Sequence, residues 1–160
     1  MPGEVRAERG SRPGRVTVYR HILVATDGSR RSAPAIRMAV RLAKSLGAKL
    51  TGLHVVAPYL SPGSGAEYAA LTGFQHSVAR EAKRALAAFN AAARAQRVPA
   101  TASSVVGGEP WQAILRAARA RNCDLIVMAS HGRRGLAGLL LGSETSKVLT
   151  HSRIPVLVCR

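Results

Sequence analysis

A chain of 160 residues is the length of one domain, able to bury about 70% of the surface its unfolded form exposes. Apolar residues at 47% exclude a disordered or collagen-like polymer, no apolar run approaches the ~18 residues that span a bilayer, and the first 20 residues lack the apolar segment of a secretory signal. Charge is the outlier, with 24 basic residues against 8 acidic ones and a net charge of +16.

Residues 1–18, rich in Pro, Gly and Arg and without periodicity, read as a flexible basic arm, and residues 19–160 as the folded domain. His21, Ile22, Leu23, Val24 and Ala25 form an apolar run that stops at Thr26-Asp27-Gly28-Ser29, the pattern of a buried strand and its turn. From Ser32 the apolar residues Ala35, Ile36, Ala39, Val40, Ala43 and Leu46 recur with helical period, and Gly47 caps that helix. Residues 49–56 read as a second strand. Pro58, Pro62, Gly63 and Gly65 make 57–72 a loop or a frayed helix start, after which Phe74, Val78, Ala82, Leu86 and Phe89 line one face of a long helix. Pro99 breaks the chain, and 100–106 is a weaker third strand. Pro110 suits the first position of the next helix, where a missing N–H costs nothing, and Trp111, Ile114, Leu115 and Ala118 give that helix its buried face. Residues 124–129 form a fourth buried strand, a glycine-rich stretch runs to Gly142-Ser143, and a helix over 143–150 precedes a last strand at 155–159.

Strict alternation of strand and helix implies an α/β fold, a single doubly wound parallel sheet with helices on both faces. Ligands of such sheets bind at the carboxyl ends of the strands, where strand order reverses. Two loops carry suitable material there. One holds Asp27, whose carboxylate can accept from a ribose hydroxyl or an adenine amine, hold a metal through water, or simply cap a turn. In the other, glycines let backbone N–H groups approach an anion, and the helix opened by Gly142-Ser143 presents a positive dipole end. His131, inside that stretch, is a ligand contact or a brace for the loop. Asp124, at the opposite end of the sheet, reads as a turn residue.

Several chemistries are absent from the sequence. There is no Walker A pattern and no Gly-x-Gly-x-x-Gly after the first strand. Asp27 lacks the acidic neighbours of a phosphoacceptor site, the five histidines lack metal-ligand spacing, and no nucleophile–base–orienter set can be read. Cys123 and Cys159 begin and end different strands, too far apart for a disulfide, which fits a reducing, cytoplasmic location.

The opening Ile22-Leu23-Val24-Ala25-Thr26-Asp27-Gly28-Ser29, then Leu53-His54-Val55, Gly108-Glu109-Pro110, Asp124-Leu125-Ile126-Val127-Met128 and the final Pro155-Val156-Leu157-Val158 are the marks of a family. With them the chain, from about Tyr19 to Arg160, resembles the universal stress proteins. The nucleotide-binding branch of that family carries Gly, two residues, Gly, nine residues, then Gly-Ser or Gly-Thr. Here Ala129 stands in place of the first glycine, and Gly132 is followed by nine residues and Gly142-Ser143.

The resemblance implies five strands in the order 3-2-1-4-5 and ATP, with Mg²⁺, in the cleft between strands 1 and 4. Ala25 and Asp27 would flank adenine and ribose, and the Val55 backbone would meet the adenine edge. Ala129 and Gly132 would line the ribose and phosphate path, with Thr26, Met128, His131 and Arg133 beside them. Gly142, Ser143 and Glu144 would offer N–H groups, and Ser143 its hydroxyl, to the phosphates. The Glu144 charge would need a divalent metal, Arg133 or Arg134 to offset it. Family members also pair their last strands, so a homodimer through 154–159 is expected. The function implied is that of an adenine nucleotide-dependent sensor or regulator in the stress response, with at most slow hydrolysis or self-phosphorylation. The alternatives are a dimeric scaffold without nucleotide, an adenine-nucleotide hydrolase, and a basic protein that grips polyanions such as nucleic acid. Against the last, the arginines are scattered along the chain without interleaved aromatics, as on solvated helix faces.

Overall fold

The computed structural model describes residues 18–58, 67–131 and 141–160, so all but the last residue of the expected arm lies outside the described residues. Strands β1 (His21–Ala25), β2 (Lys49–Val56), β3 (Ala100–Val106), β4 (Leu125–Ala129) and β5 (Val156–Cys159) form one sheet in the order β3-β2-β1-β4-β5. Every pairing is parallel, with Val24 opposite Gly52 on one side and Val127 on the other. Helices α1 (Ala33–Leu46), α2 (Glu67–Ala95), α3 (Pro110–Ala120) and α4 (Ser143–His151) alternate with the strands. The architecture is the expected one.

The first strand buries Ile22, Leu23 and Val24 completely, so its run of apolar residues serves both faces of the sheet. Ile22 and Val24 pack with Ala35, Ile36, Ala39, Val40 and Ala43 of α1 and with Phe89 and Ala93 of α2. Leu23 turns the other way, onto Ile114, Leu115 and Ala118 of α3 and Val148 of α4. Gly47 ends α1 at φ +67, the left-handed cap that its position predicts. Asp124 pins the lower edge: its carboxylate accepts the N–H groups of Arg20 and His21 at 2.8 and 2.9 Å. Burial pushes the nearby Cys123 thiol up to about 11.

One expected boundary moves. Helix α2 starts at Glu67, so residues 67–72, expected in a loop or frayed start, are helical, while 59–66 lie outside the described residues. No proline or glycine stands between Gly65 and Gly73, and a lone interior glycine such as Gly73 costs a helix only about 1 kcal/mol.

The charges scattered along the sequence are gathered in space. Helix α1 and the single 3-10 turn Arg30–Ser32 that leads into it carry Arg30, Arg31, Arg37, Arg41 and Lys44 and no acid, Asp27 standing just before them. Helix α2 and the turn after it add Arg80, Lys83, Arg84, Arg94 and Arg97 against Glu67 and Glu81. On the opposite layer, α3, α4 and their flanking turns carry Arg116, Arg119, Arg121, Lys147 and Arg153 against Glu109, Asp124 and Glu144.

Candidate functional site

At the carboxyl end of β1 the chain turns through residues held by their own side chains. Thr26 N–H donates to Leu53 O at 2.9 Å. The buried Thr26 hydroxyl bonds the Ser32 hydroxyl at 2.9 Å and accepts Gly28 N–H at 3.1 Å. Asp27 Oδ1 accepts Ser29 N–H at 2.9 Å, a side-chain turn that fixes the carboxylate at the strand end. Gly28 sits at φ +73 directly beneath α2, where an added Cβ would lie 2.5 Å from Ala85 Cα. Buried His54 supports the same turn from β2, its Nδ1–H donating to Thr26 O at 2.9 Å.

Backbone parity gives Val55 a defined direction. In a parallel ladder, N–H and C=O of one residue point to the same side and alternate along the strand. Leu53 O is bonded to Thr26 on the β1 side, so the Val55 backbone points that way too. Strand β1 pairs no further than Ala25 opposite Leu53, so Val55 faces the space where β1 has turned away.

Across the cleft, β4 ends beside the start of α4. Met128 is buried among the α3–α4 side chains, while Ala129 and His131 are half-buried. Gly142 N–H donates to Ser130 O at 2.7 Å and the Thr145 hydroxyl to Ala129 O at 2.9 Å. These bonds tie the α4 N-terminus to the end of β4. A Cβ on Gly142 would stand 3.2 Å from Ser130 O, so glycine there permits the close approach. Ser143 is exposed at the first helical position. His131 Nδ1 lies 3.2 Å from the Ser130 hydroxyl, and its buried Nε2 has no hydrogen-bond partner among the described residues. Gly132 and Arg133, the remaining predicted site residues, lie outside the described residues. Positive φ among the described non-glycine residues is confined to Arg97 and Asn122, so Ala129 carries no left-handed strain.

Glu144 is engaged differently from expectation. Its Oε2 accepts the Trp111 N–H at 2.9 Å, and its Oε1 lies 3.6 Å from Lys147 Nζ. Trp111 is the second residue of α3, whose N-terminal amides have no intrahelical partners, so a carboxylate on α4 caps α3. Lys147 also donates to Glu109 at 3.1 Å, and Trp111 Nε1–H to the same carboxylate at 3.0 Å, which together hold Glu109 below its ordinary range. The Trp111 ring stacks on His151 at 4.5 Å. The side chain thus turns away from the α4 N-terminus toward α3, with Lys147 as its cation. Trp111, Glu109 and Lys147 carried no sign of this role in the sequence, because Glu144 and Trp111 stand 33 residues apart; the Glu144–Lys147 spacing of one helical turn was the sole local hint. Glu144→Ala is expected to cost about 1–2 kcal/mol, the range of a lost cap. It should also red-shift the emission of Trp111, the chain's single tryptophan, read by fluorescence during urea unfolding.

Among the described residues no group of three or more His, Cys, Asp or Glu is placed to hold a metal ion, and no helix is long and apolar enough to cross a membrane.

Residues 18–160 match the model of the "Universal stress protein family". Universal stress protein YxiE of Bacillus subtilis is 35% identical over 150 residues, which cover 89% of this chain and 100% of the relative. Among solved structures, universal stress protein UspA from Lactobacillus plantarum superposes with a TM-score of 0.74 at 29% identity, covering 89% of this chain and 98% of that one. A universal stress protein crystallised in complex with cAMP superposes at 0.63 with 27% identity, over 89% and 97% of the two chains.

Proposed function

The chain belongs to the universal stress protein family, and we propose that it binds an adenine nucleotide, ATP with Mg²⁺, between the carboxyl ends of β1 and β4 and acts as a nucleotide-dependent regulator of the stress response. The observation that carries this reading is the α4 N-terminus. Two hydrogen bonds hold it against the end of β4, where its first-turn N–H groups favour an anion. Buried His131 Nε2, without a partner among the described residues, lies beside it, and such a group calls for a ligand or water. The relative solved with cAMP supports an adenine nucleotide as the class.

In this reading the N–H groups of Gly142 and its neighbours line the phosphate path, though the Gly142 N–H itself is committed to Ser130, so the amides of Ser143, Glu144 and Thr145 do the binding. Ser143 adds its hydroxyl. Asp27 accepts from the ribose, Val55 offers its backbone to the adenine edge, and Ala25, Thr26, Met128 and Ala129 shape the floor. Thr26 contributes backbone, because its hydroxyl is committed within its turn. Gly132 and Arg133 complete the phosphate path. Mg²⁺ would take its ligands from the nucleotide phosphates and water. When bound, the metal would neutralise phosphate charge. The reading assigns binding rather than turnover. It also includes a cytoplasmic homodimer joined through β5, an edge strand of half-buried apolar residues with no charge in it.

Thermal melting with and without MgATP tests the site. Ligand at a hundredfold excess over Kd adds about 2.7 kcal/mol, or roughly 5–10 °C for a domain of this size. The rise should vanish in Gly142→Val, whose branched side chain meets the Ser130 carbonyl. No rise with millimolar ATP, AMP or cAMP would remove the nucleotide from the reading and leave the dimeric scaffold.

A further inference from the structure

The cations of the α1–α2 layer take no part in the nucleotide reading, and their arrangement is that of a surface. We propose that the outer face of α1 and α2 docks a nucleic-acid duplex through its phosphate backbone, without reading base sequence.

Helical geometry puts the charges on one side. The buried stripe of α1 is Ala35, Ile36, Ala39, Val40 and Ala43, which leaves Arg37, Arg41 and Lys44 on its exposed side, about one turn apart. The buried stripe of α2 is Ala82, Ala85, Leu86, Phe89 and Ala93, so Arg80 and Arg84 point outward. Both helices descend from ascending strands and therefore run in the same direction. Lys44 Nζ donates to Gln96 Oε1 at 2.8 Å, which brings their C-terminal ends together, and Gly28 packs on Ala85 near the start of α1. These two contacts set the helices in register: Arg80 and Arg84 stand level with the β1–α1 turn, and Arg37, Arg41 and Lys44 follow toward the far end, one cationic band along the layer. A band of this kind can follow the phosphate backbone of a duplex without entering either groove.

The side chains also discriminate among anionic partners. Most of the cations are arginine, whose planar fork suits phosphate oxygens. Among the described residues, the layer's one exposed large apolar side chain is Met38. Among the described residues of the layer there is no exposed aromatic ring on which unpaired bases could stack, and no apolar wedge to enter a bilayer. A duplex, bound by charge alone, fits best.

Fluorescence anisotropy with a mixed-sequence DNA duplex of about 25 base pairs, using the full chain, tests the proposal. If about five phosphates are neutralised, log K should fall with log salt at a slope of about −4.5, roughly 500-fold between 50 and 200 mM. The pairs Arg37→Glu/Arg41→Glu and Arg80→Glu/Arg84→Glu should each lose tenfold or more. Arg116→Glu/Arg119→Glu, on exposed positions of α3, changes the net charge equally and should stay within twofold. All four arms are checked by thermal melting, with Arg→Gln versions replacing any Glu variant that unfolds. MgATP melting shifts in the face variants should match the unmutated protein, so failure here and failure of the nucleotide reading are separable. Equal losses from face and control pairs would overturn the proposal in favour of diffuse net charge. Absence of duplex binding at 50 mM salt would also overturn it, as would tighter binding to phosphatidylserine vesicles than to the duplex.

Discussion

Phe89→Ala is expected to destabilise the domain by about 3–5 kcal/mol, lowering its melting temperature by roughly 6–20 °C. The ring is completely buried in a core otherwise built from Ala, Val, Leu and Ile, so nothing nearby is large enough to fill the space it leaves. Its seat is shaped for it. Gly52 lies in the middle of β2, and a Cβ there would come within 2.6 Å of Phe89 Cδ1. A glycine inside a strand is a loss unless another group needs the room, and here the ring of α2 does. The two positions should therefore be coupled. Gly52→Ala forces the ring aside and should cost about 1–3 kcal/mol alone, yet less when Phe89→Leu has already shortened the side chain. Urea unfolding of the two single variants and the double variant measures this. A Phe89→Ala loss below 1 kcal/mol, or strict additivity with Gly52→Ala, would show that the helix is not seated on the sheet through this ring.

What the sequence discloses follows from how local its causes are. Strands β1, β2 and β3 stand within the bounds read from their apolar runs, and the Gly47 cap falls where the helical period stops, because each of these depends on neighbouring residues. The candidate site was legible to the same extent. Asp27 and Gly142-Ser143 follow strands and precede helices, and the sheet order then brings β1 and β4 together. Distant contacts were not legible. The capping of α3 by Glu144 joins residues 33 apart, and the seat of Phe89 on Gly52 joins two elements.

The charge asymmetry has a topological cause. Crossovers from β1 to β2 and from β2 to β3 move the same way across the sheet, so right-handed connections lay α1 and α2 on one face. The later crossovers, from β3 to β4 and from β4 to β5, run in the opposite direction and lay α3 and α4 on the other. The cation-rich stretch from Arg30 to Arg97 is thus laid on one face by the winding, which the order of residues alone does not display.

Gly28→Ala is expected to cost about 2–5 kcal/mol, combining a left-handed backbone with a collision. At φ +73 an L side chain is strained wherever it sits, and here its Cβ would also lie 2.5 Å from Ala85 Cα and 2.9 Å from Ala85 Cβ. The nearer atom is backbone, so relief requires α2 itself to shift. The chain offers its own control. Gly47 has nearly the same φ, +67, with nothing within 4 Å of an added Cβ, so Gly47→Ala carries the backbone cost of about 1–2 kcal/mol alone. The difference between the two variants in urea unfolding isolates the pressure of α2 on the β1–α1 turn. That pressure bears on the proposed site, because Gly28 N–H is bonded to Thr26 and the next amide to Asp27. Gly28→Ala should therefore also reduce the melting shift produced by MgATP, whereas Gly47→Ala, at the far end of α1, should leave that shift intact. Equal costs and equal shifts in the two variants would mean that α2 does not hold Asp27 in position, and that the turn keeps its shape through its own hydrogen bonds.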